Sequence, residues 1–156
     1  MGKRKSSRHP FIRFLFVVYG LVMLWLLFGR PQGRIEGLTY REMLQRNMNL
    51  QPLLTIKNYW YVVQHSSDPA LLRHCIINLA GNVLLFIPLG YWFVRLWPKF
   101  RNFFLFLFTC TGIILLIECT QLFTLLGRFD VDDIILNLGG MLIGYFLCLI
   151  FHRKKR

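Results

Sequence analysis

Three sets of polar side chains stand inside otherwise apolar stretches, each at a spacing that puts it on one helix face. Asn78 and Asn82 are four apart, and Glu118 and Gln121 are three apart. Asp133, Asn137, Gly140 and Gly144 follow at steps of four, three and four, so each set forms a stripe if its segment is helical. Arg128, Asp130 and Asp132 fall in the short connection between the second and third sets. A carboxyl placed among apolar residues normally faces a bundle interior or a water-filled cavity and has a partner. Arg128 is the nearest cation to Glu118 in the adjoining connection and is the expected partner. The chemistry open to such a group is acid or base work on a polar head, with Glu118, Asp130 and Asp133 as the candidate carboxyls and Arg128 and Asn82 orienting an anionic group. The expectation is one polar pocket holding Asn78, Asn82, Glu118, Gln121, Arg128, Asp130, Asp133 and Asn137.

Plainer readings stand beside this one. The two asparagines serve equally as hydrogen-bond glue between helices, at about 0.6 kcal/mol per contact. Gly140 and Gly144 are the spacing of close helix packing. The Asp130 to Asp133 cluster reads as a solvated turn with helix N-capping, since acids near a helix N-terminus are favoured by its dipole. It lacks the twelve-residue calcium-loop pattern. Neither a nucleophile constellation nor a phosphate loop is present. Cys75, Cys110, Cys119 and Cys148 form no CxxC pair, and His9, His65, His74 and His152 have no zinc-type spacing, so no cofactor or metal is expected.

These residues need elements to hold them, and the composition says which. The chain has 156 residues, 55% apolar and 16% aromatic, with only 17% charged, against roughly 25% charged in a soluble domain. Four stretches, Phe11 to Phe28, Cys75 to Val94, Phe103 to Leu126 and Ile134 to Phe151, are long enough to cross a hydrocarbon core, which takes about 20 helical residues. The expected fold is an all-α integral membrane protein, a bundle of four transmembrane helices filling residues 11–151 between basic tails at 1–10 and 152–156. The first stretch ends in Gly29-Arg30-Pro31-Gln32 with no small-x-small site after it, which reads as a retained anchor and not a cleaved signal.

The net charge of +12 is no nucleic-acid footprint, because the cations cluster between the apolar runs. Lys3, Arg4, Lys5, Arg8 and Arg13, then Arg95, Lys99 and Arg101, then Arg153, Lys154, Lys155 and Arg156 all fall on one side, and all seven acids fall on the other with seven balancing cations. Short cytoplasmic loops retain Lys and Arg, so both termini are expected in the cytoplasm, where the cations meet anionic lipid. The expected outer side then carries a long loop, Arg30 to His74, whose aromatic run Tyr59-Trp60-Tyr61 suits a membrane interface. Asp68 and Pro69 form a helix-start signal, so the second helix is expected to begin ahead of its apolar part. Pro88 is expected to kink or loosen that helix.

Asn78-Leu-Ala-Gly-Asn82-Val-Leu-Leu-Phe86-Ile-Pro88-Leu-Gly90, then Glu118-Cys-Thr-Gln121, then Gly127-Arg128-Phe-Asp130-Val-Asp132-Asp133-Ile-Ile-Leu-Asn137-Leu-Gly139-Gly140 with Gly144, together resemble the VanZ-like family of bacterial membrane proteins. Asn49-Leu-Gln-Pro52-Leu resembles a further stretch of that family, with Leu53 where Phe is usual. The resemblance covers roughly residues 47–148. It implies a multi-pass protein of the bacterial cell membrane and, through the family's namesake, lowered susceptibility to the glycopeptide teicoplanin. Two function classes follow. One is a binding module at the outer membrane face that changes access of a lipophilic glycopeptide. The other is an enzyme acting on a lipid-linked or phospholipid headgroup. Expected partners are the bilayer and a lipid-linked cell-envelope molecule or a glycopeptide. Four spans without internal repeats carry no signal for transport.

Overall fold

The computed structural model describes residues 8–29 and 35–152. The basic tails at 1–7 and 153–156, and Arg30 to Arg34 at the start of the long connection, lie outside the described residues. Among the described residues four helices are long and apolar enough to span a membrane: α1 (Arg8–Phe28), α4 (Pro69–Leu96), α5 (Phe103–Thr124) and α6 (Val131–Phe151). The chain is an all-α, multi-pass membrane protein. Its surface agrees with that, since large apolar side chains point outward, with Phe104, Phe108 and Phe151 69%, 77% and 72% exposed. Only lipid solvates such a surface, and in lipid a helix satisfies its own backbone groups.

Segment 30–74, expected as a loop, is instead folded wherever it is described. Thr39 caps α2 (Tyr40–Arg46) with a complete capping box to Glu42. A two-residue strand, β1 (Met48–Asn49), follows, and then α3 (Leu54–His65). β1 pairs in parallel with β2 (Phe129–Asp130), Met48 opposite Phe129 and Asn49 opposite Asp130. The backbone thus ties this segment to the short connection between α5 and α6.

Helix ends follow local chemistry. The Asp68 side chain accepts from the Ala70 N–H at 2.9 Å, with Pro69 in the first turn, so α4 starts six residues ahead of its apolar run. Its 28 residues reach about 42 Å at 1.5 Å per residue, beyond a hydrocarbon core of about 30 Å. The helix runs unbroken through Pro88. α5 stops at Thr124 because Leu125 takes a left-handed conformation, φ 56°, and α6 starts at Val131 because Asp130 caps it.

α4 and α6 form the central pair. A Cβ on Gly140 would run into the Val83 carbonyl, one on Gly144 into the Ile87 carbonyl, and one on Gly90 into Met141 backbone. The two backbones therefore touch, which is how helices associate in lipid without a hydrophobic drive. Around them Phe86, Phe106, Cys110, Ile114, Met141, Tyr145 and Cys148 make a buried core. α1 is the least embedded span, held to α4 by the Tyr19 hydroxyl donating to the Leu85 carbonyl.

Candidate functional site

At the end of the bundle where α1 and α5 stop and α4 and α6 start, a cavity of about 630 Å³ opens between the spans and α3. Asn78, Asn82, Gln121, Arg128, Asp130 and Asp133 line it, together with Met48, Asn49, Thr55, Asn58, Tyr59 and His74, and Leu26, Leu27, Leu54 and Leu126 supply apolar wall. Six of the eight residues expected in one pocket therefore meet there. Glu118 and Asn137 do not line it; each is 2% exposed.

Asp130 is the hub. Its Oδ1 accepts from Asn49 Nδ2 at 3.1 Å and from the Asp132 N–H at 2.9 Å, and its Oδ2 accepts from the Thr55 hydroxyl at 2.6 Å. Asn49 Nδ2 also reaches Thr55 Oγ1 at 3.0 Å. One carboxylate thus caps α6 and joins β1 to α3. The partner of Glu118 is backbone: its Oε2 accepts the Asp130 N–H at 3.3 Å. The expected ion pair with Arg128 is not what holds this carboxyl, and Arg128 is exposed at the cavity rim.

Asp132, read from sequence as part of a solvated turn, is 0% exposed. Leu53 and Ile56 donate their N–H groups to its two oxygens at 2.5 and 3.0 Å. α3 has no side-chain cap of its own, because Leu53 at its N-cap is apolar and left-handed, φ 64°. The first-turn donors of a helix need acceptors, and a carboxylate also suits the positive end of its dipole. Asp132 supplies both from 76 residues away.

Asp133 faces the cavity, and Asn82 Nδ2 donates to its Oδ1 at 2.5 Å. Asn78 Oδ1 is buried without a hydrogen-bond partner, as is Asn137 Oδ1. Gln121 Nε2 donates to the Leu27 carbonyl at 2.9 Å, which holds the end of α1 against α5 as one wall. Across the cavity Tyr59 meets His74 edge to face, centroids 5.8 Å apart. Burial raises the Tyr59 phenol above its ordinary value, with smaller upward contributions from Cys75, Asp133 and Asp130 and a downward one from Arg128.

Thr55, Asn58, Tyr59 and His74 were not expected in the pocket. The first three sit at steps of three and one along α3, a stripe that shows once the segment is read as a helix.

Fold and site together define a four-span membrane protein with a hydrogen-bonding cavity at one end of the bundle. The chain belongs to the VanZ/LLP1 family, whose sequence model matches residues 16–152. No curated protein and no solved structure shows a significant match to it.

Proposed function

We propose that this VanZ-like protein is a binding module of the bacterial cell membrane. In this reading its cavity takes the polar head of an amphiphile at the outer face, lowering susceptibility to a lipoglycopeptide of the teicoplanin type. The observation that carries the reading is the cavity itself. Its about 630 Å³ falls in the usual range for small-molecule sites, roughly 300–1,000 Å³, and its lining joins polar floor to the apolar ends of α1 and α5. A head and the start of a lipid tail need that combination. Glu118 lies behind the Asp130 backbone, away from the lining, so catalysis by this carboxyl is the weaker reading. The outward orientation rests on Arg95, Lys99 and Arg101 at the opposite end, and on the cations that the sequence carries before the first span and after the last.

The test is to express the chain in a susceptible bacterial host and measure inhibitory concentrations for a glycopeptide with an acyl chain and one without. The expected result is protection against the acylated compound only, lost in Asn82→Ala at unchanged membrane level. No protection from the wild-type chain overturns the resistance role. Thiol labelling of intact cells checks orientation: Ser67→Cys should react and Ser6→Cys should not, and the reverse pattern inverts the topology.

A further inference from the structure

We infer that the cavity recognises a headgroup carrying both a primary ammonium and a phosphate, with the ammonium on the floor formed by Asp133 and Asn78 and the phosphate at Arg128 on the rim. This deepens the headgroup-binding reading above and rests on it.

The floor is rich in acceptors that the protein leaves unfilled. Asn82 occupies Oδ1 of Asp133, leaving Oδ2 to a ligand. Asn78 Oδ1 is buried and has no donor. A buried acceptor without a partner costs about 1–3 kcal/mol, so this floor favours an occupant that brings N–H or O–H groups. An ammonium has three such donors and no acceptor. The aromatic ring of Tyr59 lines the same cavity, and ring faces attract cations.

Charge selects between an ammonium and a neutral polyol. Among the described residues the cavity lining has two carboxylates, Asp130 and Asp133, and one guanidinium, Arg128, and so a formal charge of one negative with His74 neutral. A phosphate ester of a polyol adds a second negative charge to that balance, whereas an aminoalkyl phosphodiester adds none and places each of its charges beside an opposite one. Among the described residues Arg128 is the only Lys or Arg lining the cavity, and a planar guanidinium pairs well with phosphate oxygens. Asp130, filled by Asn49, Thr55 and the Asp132 N–H, is structural, and this leaves Asp133 as the carboxylate free to meet the cation.

The same ammonium–phosphate chemistry occurs in a phospholipid and in a free soluble ester, and binding separates them. Purified full-length chain in maltoside micelles is titrated with dihexanoyl phosphatidylethanolamine, dihexanoyl phosphatidylglycerol, dihexanoyl phosphatidylcholine and free glycerophosphoethanolamine, a soluble diester with the same two charges, and intrinsic tryptophan fluorescence reports binding. The expected order is ethanolamine above glycerol and above choline, whose quaternary nitrogen has no N–H to give. Asp133→Asn and Arg128→Gln should each weaken the ethanolamine lipid about tenfold, the scale of one charge-assisted contact. Arg128 is exposed, so its variant tests the site even where Asp133→Asn fails to fold. A lipid source predicts that the free ester binds more weakly than the lipid, and equal binding assigns the site to a soluble ligand of the same chemistry. Glycerol binding as well as or better than ethanolamine overturns the ammonium assignment and leaves a headgroup site. If none of the four binds and an acylated glycopeptide does not bind either, the headgroup reading falls with it.

Discussion

At the end of the bundle where α4 and α6 begin, polar side chains hold pieces of chain that are far apart in sequence. Asn49, Thr55, Leu53 and Ile56 reach Asp130 and Asp132 across 75 to 81 residues. At the other end Phe16, Trp92, Phe93, Trp97 and Phe100 pack as edge-on and tilted rings, with centroids 5.2 to 6.4 Å apart. The same four spans serve both ends, yet among the described residues the polar cavity lies at the first and aromatic rings pack the second. The difference lies in the connections. Between α4 and α5 the chain uses a short 3-10 turn, Pro98–Arg101, and the hollow of about 330 Å³ at that end, between Arg13, Phe16, Val17, Leu96 and Trp97, has mostly apolar walls. Between α1 and α4 it has some forty residues, and α3 spends its polar face closing the mouth of the bundle.

Removing the tether should therefore undo one end and spare the other. Asp132→Ala leaves the Leu53 and Ile56 N–H groups without their charged acceptor, and such bonds contribute about 1.5–3 kcal/mol each. The expected loss is about 3 kcal/mol in detergent unfolding, with hydrogen exchange rising in α3 and staying low around Tyr145, whose hydroxyl donates to the Arg101 carbonyl at 2.8 Å. Asp132→Asn, which keeps one acceptor, should fall between. A loss spread evenly over all spans would show that the two ends are not separable.

Phe16→Ala makes the opposite cut. Phe16 meets Trp92, Phe93 and Trp97, and aromatic pairs contribute about 0.5–1.5 kcal/mol beyond area burial. In lipid the area contribution is small, so the expected cost is about 1 kcal/mol, smaller than for Asp132→Ala. Exchange should rise at the start of α1, and headgroup binding should be unchanged. Altered binding would mean that α1 moves as one lever from end to end, in spite of its Gln121 to Leu27 anchor.

How much of this was legible follows from the range of each interaction. The four spans could be read because apolar runs are local, and so could the Asp68–Pro69 start of α4. The stripes Asn78/Asn82, Glu118/Gln121 and Asp133/Asn137 could be read because helical spacing is local as well. α2 and α3 read as loop because their apolar residues are mixed with Arg41, Glu42 and Gln45 in the first and Lys57, Asn58 and Gln64 in the second, too polar to span and too short to stand out. The partners of Glu118 and Asp132 are backbone N–H groups, which every residue but proline carries and no residue type marks. Proximity in sequence and charge point Glu118 to Arg128, whereas the turn at Leu125 to Asp130 directs the Asp130 N–H to the carboxyl instead.

The smallest effect concerns the far edge of the site end. The hydroxyl and N–H of Thr39 donate to Glu42 and hold its carboxyl below the ordinary value of 4.5. A group whose pKa is lowered by folding adds stability above its unfolded value and loses it as pH falls through the folded one. The capping box of α2 should therefore be intact at neutral pH and weaken from about pH 4.5 downward. Glu42 is fully exposed, and surface charge contributions of this kind are screened by solvent and salt, so the effect should be slight and should shrink as salt is added. Amide exchange across Tyr40–Arg46, corrected for intrinsic rates, should rise at low pH in the wild type, and Glu42→Gln should remove most of that pH response. α2 also meets α5 through the Tyr40 hydroxyl, which donates to the Phe123 carbonyl at 2.8 Å. Fraying of α2 should stop there, because β1 and α3 are held by Asp130 and Asp132 and not by α2. Exchange in α3 that rises together with α2 would mean that the capping box, and not the Asp132 tether, sets the order of the site end.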